Sequence, residues 1–384
     1  MRRRTKKALK IVAIVLVCIV AAYGIITLVG VIGAQANLKR IETYEVVGSP
    51  IEPYIDETTG VWTFKTDEDF RIVQLTDIHI GAGAFSIAKD GWALDAVYTM
   101  LARLEPDLVV VTGDIAYPIP FQAGTINNMR EAKMFAALMN RLDVYWTFVF
   151  GNHDTEIYSY YDRDQIADFY MQQPKCLFSK GSEDVDGVGN YAINIVGSDN
   201  AIRRSLIMFD SHAYVEGAIA FQYDKIHDNQ IEWYRRTITE MNAYNAALTG
   251  NADAVVPSLM FMHIPLTEYD DAWKAYRAAG SKDTDEVKYL YGQAGEDGEI
   301  VCHGEERSAL FDVVLELGST DGIFCGHDHL NTWALNYKGV QLTYGMSIDY
   351  LAYFGIADQV EQRGATTIDL KADGTFVSQN HTLQ

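Results

Sequence analysis

The sequence is poor in cysteine, which limits how the fold can be held together. Its 384 residues contain four cysteines, Cys18, Cys176, Cys302 and Cys325, and no two of them form a C-x-x-C pair. Cys18 lies in an apolar run near the N-terminus, so an odd number is left for the rest of the chain. This pattern indicates neither a disulfide framework nor a zinc ribbon. A single bond between Cys176 and Cys302 stays open if the protein folds in an oxidising compartment.

Positive charge is also scarce over most of the chain. Residues 1–36 hold six basic and no acidic side chains, whereas the remainder holds 25 basic and 52 acidic ones, a net charge of −27. A chain with this negative charge repels the phosphate backbones of nucleic acids, so no nucleic acid polymer is expected as a partner. A small phosphate ester is still compatible with this charge, because bound cations reverse the local field.

The sequence lacks a GxSxG or cysteine-based motif, so it gives no sign of a protein nucleophile. It has instead five short segments rich in Asp, His and Asn, each directly after an apolar run. The runs are FRIVQLT, LVVVT, VYWTFVF, SLMFM and GIFC. A strand that ends at a polar, ligand-type residue is typical of a sheet whose carboxyl edge holds a site. The metal-ligand candidates in these segments are Asp77, His79, Asp114, Asn152, His263, His327 and His329.

Seven such residues are too many for one ion and about the right number for two ions that share a carboxylate. Asp77 and His79 are two residues apart, so at the end of an extended strand both side chains point to one face. Asp114 has two oxygens and can bridge both ions. Nitrogen and oxygen ligands without thiolate favour Mn, Fe or Zn. One such motif alone could be a turn or a core histidine, but five in order predict a two-metal hydrolase with a metal-bridging hydroxide as nucleophile.

His153 is the candidate for acid catalysis, because it stands next to the ligand candidate Asn152 and is expected to face the substrate. There it would protonate the leaving oxygen or stabilise the phosphoryl charge. Asp154 is expected to fix the tautomer of His153, with a turn cap as the alternative role. The predicted catalytic residues are therefore His153 and Asp154.

The ordered motifs D-x-H, GD, GNHD, a histidine after an apolar run, and GHDH resemble those of the calcineurin-like metallophosphoesterase superfamily. The resemblance covers about residues 67–384, and GDIAY, VFGNHD, MHIPLTEY and FCGHDHLN are most similar to single-domain purple-acid-phosphatase-like proteins. It implies an α/β fold, a four-layer sandwich of two mixed β-sheets flanked by helices. The ligand sets that it implies are Asp77, His79, Asp114 and His329 for the first metal, and Asp114, Asn152, His263 and His327 for the second.

One position departs from the family pattern. Typical purple acid phosphatases have Gly in the first motif where this chain has His79, and the tyrosine of their GDxxY motif binds iron. Here His79 and Tyr117 are both present. The resemblance therefore leaves two roles open for Tyr117, that of a metal ligand and that of a pocket wall.

The N-terminus predicts a membrane anchor. Residues 1–10 form a basic tail, and the apolar segment 11–33 is followed by no charge until Lys39. At ~1.5 Å per residue such a helix crosses the ~30 Å hydrocarbon core of a bilayer. The basic flank is expected to stay in the cytoplasm, which places the rest of the chain outside the cell membrane. The alternative is a secreted enzyme, released when a signal peptide is cleaved at the A-x-A site that ends at Ala36.

The remainder is predicted to consist of a linker at residues 34–66, leading into an edge strand, and one catalytic domain at 67–384. Strands there alternate with helices whose apolar stripes begin at Leu94 and Met134. The charged and aromatic stretch 267–306 is expected to be a long loop region.

Taken together, these features predict a membrane-anchored phosphomonoesterase that acts on a small phosphate ester outside the cytoplasmic membrane. A phosphodiesterase for nucleotides or lipid-linked phosphates is the alternative. A catalytically silent, ligand-binding ectodomain is a more remote one. The sequence gives no prediction of the oligomeric state.

Overall fold

The computed structural model describes residues 2–215 and 222–384. In these ranges the chain forms seven α-helices and fourteen β-strands. The helices are α1 (Arg2–Ile41), α2 (Ile87–Leu104), α3 (Asn128–Leu142), α4 (Arg163–Met171), α5 (Asp228–Thr249), α6 (Thr267–Ala278) and α7 (Leu310–Leu317). The strands are β1 (Tyr54–Ile55), β2 (Trp62–Lys65), β3 (Phe70–Leu75), β4 (Leu108–Thr112), β5 (Trp146–Val149), β6 (Tyr191–Val196), β7 (Ile202–Met208), β8 (Ser258–Phe261), β9 (Val287–Tyr291), β10 (Thr320–Cys325), β11 (Ala334–Tyr337), β12 (Val340–Tyr344), β13 (Gly364–Leu370) and β14 (Phe376–Thr382).

The strands form two mixed sheets. The small sheet has the order β14-β13-β3-β4-β5, and the large sheet has the order β1-β2-β6-β7-β8-β10-β12-β11-β9. Within them β3, β4 and β5 run parallel, as do β7, β8, β10 and β12. Each of these parallel groups sends its carboxyl ends to one edge of its sheet, which is where polar residues follow the strands.

The side chains of strand β10 contribute to two separate layers of the hydrophobic core. Phe324 stacks on Phe261 of β8, with ring centroids 5.3 Å apart, in the core between the two sheets. Its neighbours Ile323 and Cys325 belong to the core under α5, α6 and α7 instead. This alternation is the period of a strand that is buried on both faces. With α2 and α3 on the outer face of the small sheet, the result is the four-layer sandwich, and that prediction is confirmed.

Two differences from the predicted boundaries concern α1 and the segment after it. The helix does not end at residue 33 but continues to Ile41, inside the predicted linker. Its last turns pack on the domain, where the Asn37 amide donates a hydrogen bond to the Ile87 carbonyl at 3.0 Å. Later in the same segment, β2 pairs in parallel with β6, so the large sheet begins before residue 67. The upstream part of α1 is long and apolar enough to cross a membrane, properties that a signal sequence shares.

The stretch 267–306 is also different from its prediction as a long loop. It contains α6 and β9, and the buried side chains of Tyr269, Ala272 and Trp273 fix the helix to the large sheet. These three positions have helical spacing, which the aromatic and charged composition obscured. The Cys176–Cys302 bond that the sequence left open does not form, since both cysteines are free.

Candidate metal centre

The seven predicted ligands all follow strands at the same edge of the sandwich. In the small sheet, β3 leads to Asp77 and His79, β4 to Asp114 and β5 to Asn152. In the large sheet, β8 leads to His263, and β10 leads to His327 and His329. The two sheets face each other, so residues that are up to 252 positions apart in the chain meet in one buried cluster.

The first group of ligand atoms comes from Asp77, His79, Asp114 and His329. One atom from each of these side chains lies within 4.8 Å of the others, and all four residues are buried. His79 Nε2 is 3.2 Å from Asp114 Oδ2, and His329 Nε2 is 3.5 Å from Asp77 Oδ1. Two carboxylates and two imidazoles at this separation form a set that fits a cation of the Mn, Fe or Zn type.

The second group surrounds His263. Its Nε2 atom is 3.3 Å from Asp114 Oδ2, 3.0 Å from Asn152 Oδ1 and 3.2 Å from His327 Nδ1. His263 Nδ1 is 2.8 Å from the Thr112 carbonyl, an acceptor only, so Nδ1 carries the proton and Nε2 presents a lone pair. Lone pairs that converge in this way repel one another unless a proton or a metal cation lies between them. Asp114 Oδ2 belongs to both groups, which is the geometry of a bridging carboxylate.

Asp349 is a member of the centre that the sequence did not predict. Its Oδ1 atom is 3.2 Å from His79 Nδ1, and its Oδ2 atom is 3.0 Å from His329 Nδ1. Burial opposes its ionisation, but His79 and His329 outweigh burial and hold the pKa of Asp349 well below its usual range. With its two oxygens beside Nδ1 of the two imidazoles, Asp349 favours the orientation in which both Nε2 atoms face the first group. It lies five residues beyond the end of β12, too far for the rule of polar residues directly after strands to predict it.

The backbone at this edge is held in an unusual conformation. Asp77, His79, Asp114 and His327 have φ angles of 49°, 52°, 52° and 76°, in the left-handed region that residues with a side chain seldom adopt. Backbone hydrogen bonds between the loops hold this conformation, as from Asp77 N–H to the Gly113 carbonyl at 3.1 Å. These four are among twelve non-glycine residues with positive φ in the described ranges, and strain at a candidate site is typical of functional positions.

Two motif glycines allow the loops to approach each other. A Cβ atom at Gly151 would lie 2.0 Å from Asp114 Oδ1, and one at Gly326 would lie 1.9 Å from Thr76 Oγ1. Any side chain at either position would therefore push the bridging carboxylate or the Asp77 loop out of place. The glycines of GNHD and GHDH thus serve the close packing of the centre.

The electrostatic field at the centre favours positive charge. Burial alone would lower the pKa of His263, yet Asp114 overcomes it and raises that pKa to about 9. For His79, burial is likewise outweighed by Asp349 and Asp114, and its pKa lies well above its ordinary value. Carboxylates that attract protons this strongly at buried imidazoles would attract a divalent cation to the same place.

Comparison with known proteins agrees with this arrangement. The family model for calcineurin-like phosphoesterases matches residues 70–331, a range that contains all seven candidate ligands. The chain belongs to the calcineurin-like phosphoesterase family. The predicted superfamily is thereby confirmed.

Relatives of this calcineurin-like phosphoesterase include both enzymes and proteins named inactive. The chain is 26% identical over 312 residues to "Probable inactive purple acid phosphatase 14" of Arabidopsis thaliana, covering 76% of this chain and 73% of that protein. It is 28% identical over 318 residues to "Phosphatase DCR2" of Saccharomyces cerevisiae, covering 76% of this chain and about half (49%) of that protein. A dimetal phosphatase from Danio rerio shares the fold, with a TM-score of 0.52, 12% identity and coverage of 82% of this chain and 96% of that one. These similarities confirm the purple-acid-phosphatase-like character of the chain.

In this family member, His153 lies at the open side of the centre. Its Nδ1 atom is 2.7 Å from Glu156 Oε1, and its backbone N–H donates to Asp114 Oδ1 at 2.8 Å. The imidazole ring is 5.8 Å from that of His79, and about a fifth of the side chain is exposed. His153 therefore stands beside the first group of ligand atoms without being part of either group.

Asp154 does not have the role that the sequence predicted. Its carboxylate accepts hydrogen bonds from the backbone N–H groups of Asp114, Ala116 and Gly151, at 3.1, 2.9 and 2.8 Å. The side chain is turned into the loops and joins the segment after β4 to the segment after β5. The carboxylate that contacts His153 is that of Glu156, three residues further along, because the turn after GNHD brings that position back over the imidazole.

Tyr117 packs beside the first group of ligand atoms. Its hydroxyl is 3.4 Å from Gln122 Oε1 and 3.4 Å from the Ala352 carbonyl, and neither partner belongs to the two ligand groups. Its ring packs against the rings of His79 and His153, with centroids 4.7 and 4.9 Å away. Burial raises the pKa of Tyr117.

Three further tyrosines contact the candidate ligands. Tyr353 stacks on His329 with centroids 4.7 Å apart, and Tyr223 meets His327 edge-on at 4.4 Å. The hydroxyl of Tyr214 accepts a hydrogen bond from the Asn152 amide at 3.1 Å. These residues could not be predicted, because a single tyrosine in a loop carries no recognisable pattern.

Proposed function

We propose that this protein is a dinuclear metal-dependent phosphoesterase that hydrolyses phosphate monoesters outside the cytoplasmic membrane. The observation that carries the proposal is the pair of buried ligand groups that share Asp114 Oδ2. A protein that only binds phosphate needs no bridging carboxylate between two cation sites. A hydrolase does, because two adjacent ions act together on the attacking and leaving oxygens.

The donor set fits two ions of the Mn, Fe or Zn type. Asp77, His79, Asp114 and His329 would hold one, and Asp114, Asn152, His263 and His327 would hold the other. When bound, such ions would make water nucleophilic at neutral pH and neutralise the charge of the phosphoryl oxygens.

His153 is proposed to supply a proton to the leaving oxygen. With Glu156 accepting at Nδ1, the second ring nitrogen is free to face the opening of the pocket. A protonated His153 can then donate from Nε2 to the leaving oxygen. Glu156 holds the ring in that orientation and is a positioning residue.

Aromatic rings close to the ligand histidines support monoesters over diesters. Tyr223 and Tyr353 have their rings within 5 Å of those of the ligand histidines, and Tyr117 lies equally close on a third side. A phosphoryl group with a single ester substituent would enter such an opening more easily than one with two. The remote alternative of a silent ectodomain is disfavoured, because such a protein is expected to lose ligand residues and all seven are retained here.

The proposed location is the cell membrane, with α1 as an uncleaved single-pass anchor. Support comes from the packing of α1 upstream of the A-x-A site. A Cβ atom at Gly33 would collide with the Ile87 side chain at 2.4 Å, so the two helices are in close contact there. Cleavage after Ala36 would remove this part of the interface and expose the apolar surface beneath it.

Metal removal combined with a choice of substrates tests this proposal. We expect the detergent-solubilised full chain to lose aryl phosphate hydrolysis after exhaustive chelation and to regain it with Mn²⁺, Fe or Zn²⁺. The reloaded enzyme should hydrolyse an aryl phosphate faster than a bis-aryl phosphate. Full activity of metal-free protein would contradict the metal mechanism. A faster rate on the diester would contradict the monoester assignment alone.

A further inference from the structure

Three large apolar side chains are almost fully exposed on the surface. Phe121, Ile157 and Phe354 have exposures of 92%, 99% and 110%, whereas no other large apolar side chain in the described ranges exceeds 69%. Soluble surfaces carry scattered half-exposed apolar residues as a matter of course. A cluster of fully exposed ones marks a contact surface.

These side chains lie on loops that carry or contact residues of the metal centre. Phe121 lies on the loop that follows Asp114, Ile157 on the loop that follows Asn152, and Phe354 directly after Tyr353, the residue that stacks on a ligand histidine. A hydrogen bond from the Gln122 amide to the Ala352 carbonyl at 2.6 Å joins the first loop to the third. We name this surface the apolar rim, and it consists of Phe85, Phe121, Ile157, Tyr160 and Phe354.

The apolar rim is continuous with α1. The hydroxyls of Tyr23 in α1 and Tyr160 in the rim are hydrogen-bonded at 2.9 Å. Further along α1, Gly30 is buried against the loop before Phe85, where a Cβ atom would lie 3.1 Å from the Ala84 nitrogen. The Phe85 N–H in turn donates to the Ala123 carbonyl at 3.0 Å, two residues from Phe121.

The length of α1 determines how far the apolar rim lies from the outer boundary of a bilayer that the helix crosses. If the crossing begins at Ile11, about 20 residues at ~1.5 Å each bring the helix to the outer boundary near residue 30. If Lys6 and Lys7 extend their side chains to the inner headgroups, the outer boundary lies near residue 26, about one turn earlier. In both cases the boundary falls within the part of α1, from Tyr23 onwards, that contacts the domain. Tyrosines such as Tyr23 and Tyr160 are typical of that boundary.

We propose that the apolar rim lies in the outer headgroup region of the bilayer that α1 crosses, and that the substrate is the phosphate monoester of a membrane amphiphile. A lipid phosphate in that leaflet would present its phosphoryl group to the metal centre while its chains stay among the rim side chains. The substrate class rests on the proposed phosphoesterase function, whereas the position of the rim rests only on the proposed anchoring by α1. The occupant of this surface is the lipid bilayer.

A polarity-sensitive dye on single cysteines tests the position of the rim. The full chain would be reconstituted in phosphatidylcholine vesicles with Cys18→Ala and Cys302→Ala, and labelled at Phe121→Cys or Phe354→Cys. We expect blue-shifted emission at both positions and quenching by nitroxide carried on the lipid chains. Label at Val377→Cys is the matched control, since Val377 is exposed on β14 at the far edge of the small sheet and should report water. Emission typical of water at both rim positions would overturn the proposal.

A comparison of two substrates tests the substrate class. In the same vesicles, the double variant Phe121→Ser with Phe354→Ser should hydrolyse vesicle-borne phosphatidic acid about tenfold more slowly than wild type. The reason is that contact of the apolar rim with lipid holds the metal centre at the depth of the lipid phosphate. The rate of the double variant on a soluble aryl phosphate should stay within about twofold of wild type, as should both rates of Val377→Ser.

The outcomes separate the two proposals. Wild-type protein that hydrolyses the aryl phosphate but not the phosphatidic acid would overturn the lipid substrate and leave the phosphoesterase intact. Protein that hydrolyses neither would overturn the proposed function, while the dye would still decide where the rim lies. An equal loss on both substrates in the double variant would show that the rim supports the fold of the metal centre and does not contact lipid.

Discussion

Replacing Asp114 by Asn is expected to abolish both metal binding and hydrolysis. Asp114 Oδ2 is the atom that the two ligand groups share, and it lies 3.2 Å from His79 Nε2 and 3.3 Å from His263 Nε2. Asparagine has nearly the same shape but no charge, so it cannot neutralise two adjacent cations. We expect a loss of rate beyond the roughly 10–100-fold that removal of a ligand-orienting residue causes. Metal content by mass spectrometry and aryl phosphate hydrolysis would be measured on the same preparation.

Asp349→Asn is the matched control for this variant. It removes a buried carboxylate from the same centre, but one whose oxygens lie beside the far nitrogens of His79 and His329 and accept from the Leu351 and Ala352 N–H groups. Metal affinity should fall by about 10–100-fold, and excess metal should restore the rate. If excess metal also restores Asp114→Asn, or if that variant keeps two ions, Asp114 does not bridge.

Replacing His153 by Ala is expected to leave both ions bound and to slow turnover by ~10²–10⁴-fold, as the loss of a general acid does. The loss should be smaller for substrates with a good leaving group, which need less protonation. A series of aryl phosphates with graded leaving groups would give this dependence, with metal content measured alongside.

Glu156→Gln separates positioning from proton donation. The amide can still contact His153 Nδ1 but carries no charge, so we expect a smaller loss of rate with the same dependence on the leaving group. If His153→Ala loses a metal ion, or slows all leaving groups equally, His153 is a ligand or a structural residue and not the acid.

The parts of the fold that were predictable are those in which one local pattern determines the structure. Strands such as β3 and β4 are apolar runs that end at a polar residue, and this sequence of residue types fixes both the strand and the position of its first ligand. The direction of Asp77 and Asp114 could not be predicted in the same way. It depends on left-handed backbone angles that contacts between distant loops maintain.

The residues that were missed depend on contacts between distant segments. Asp349 lies five positions beyond the end of β12 and becomes recognisable only when His79 and His329 are seen on its two oxygens. Asp154 was predicted as the partner of His153 because the two residues are adjacent in the chain. The turn after GNHD, which brings Glu156 over the imidazole instead, could not be predicted from that adjacency. The contact of α1 with the domain could not be predicted for a different reason. Gly30 and Gly33 form a stripe of small residues, but the run around them is apolar on every side, so no face of the helix is distinguished by its pattern.

The central claim is that two cations share this centre, and their number at full activity is the most direct test. Metal-free full-length protein would be titrated with Mn²⁺ or Zn²⁺, while bound metal and the rate of aryl phosphate hydrolysis are measured at each step. We predict saturation at two ions per chain, with hydrolysis that rises as the second ion binds. Saturation of both binding and hydrolysis at one ion per chain would contradict the account.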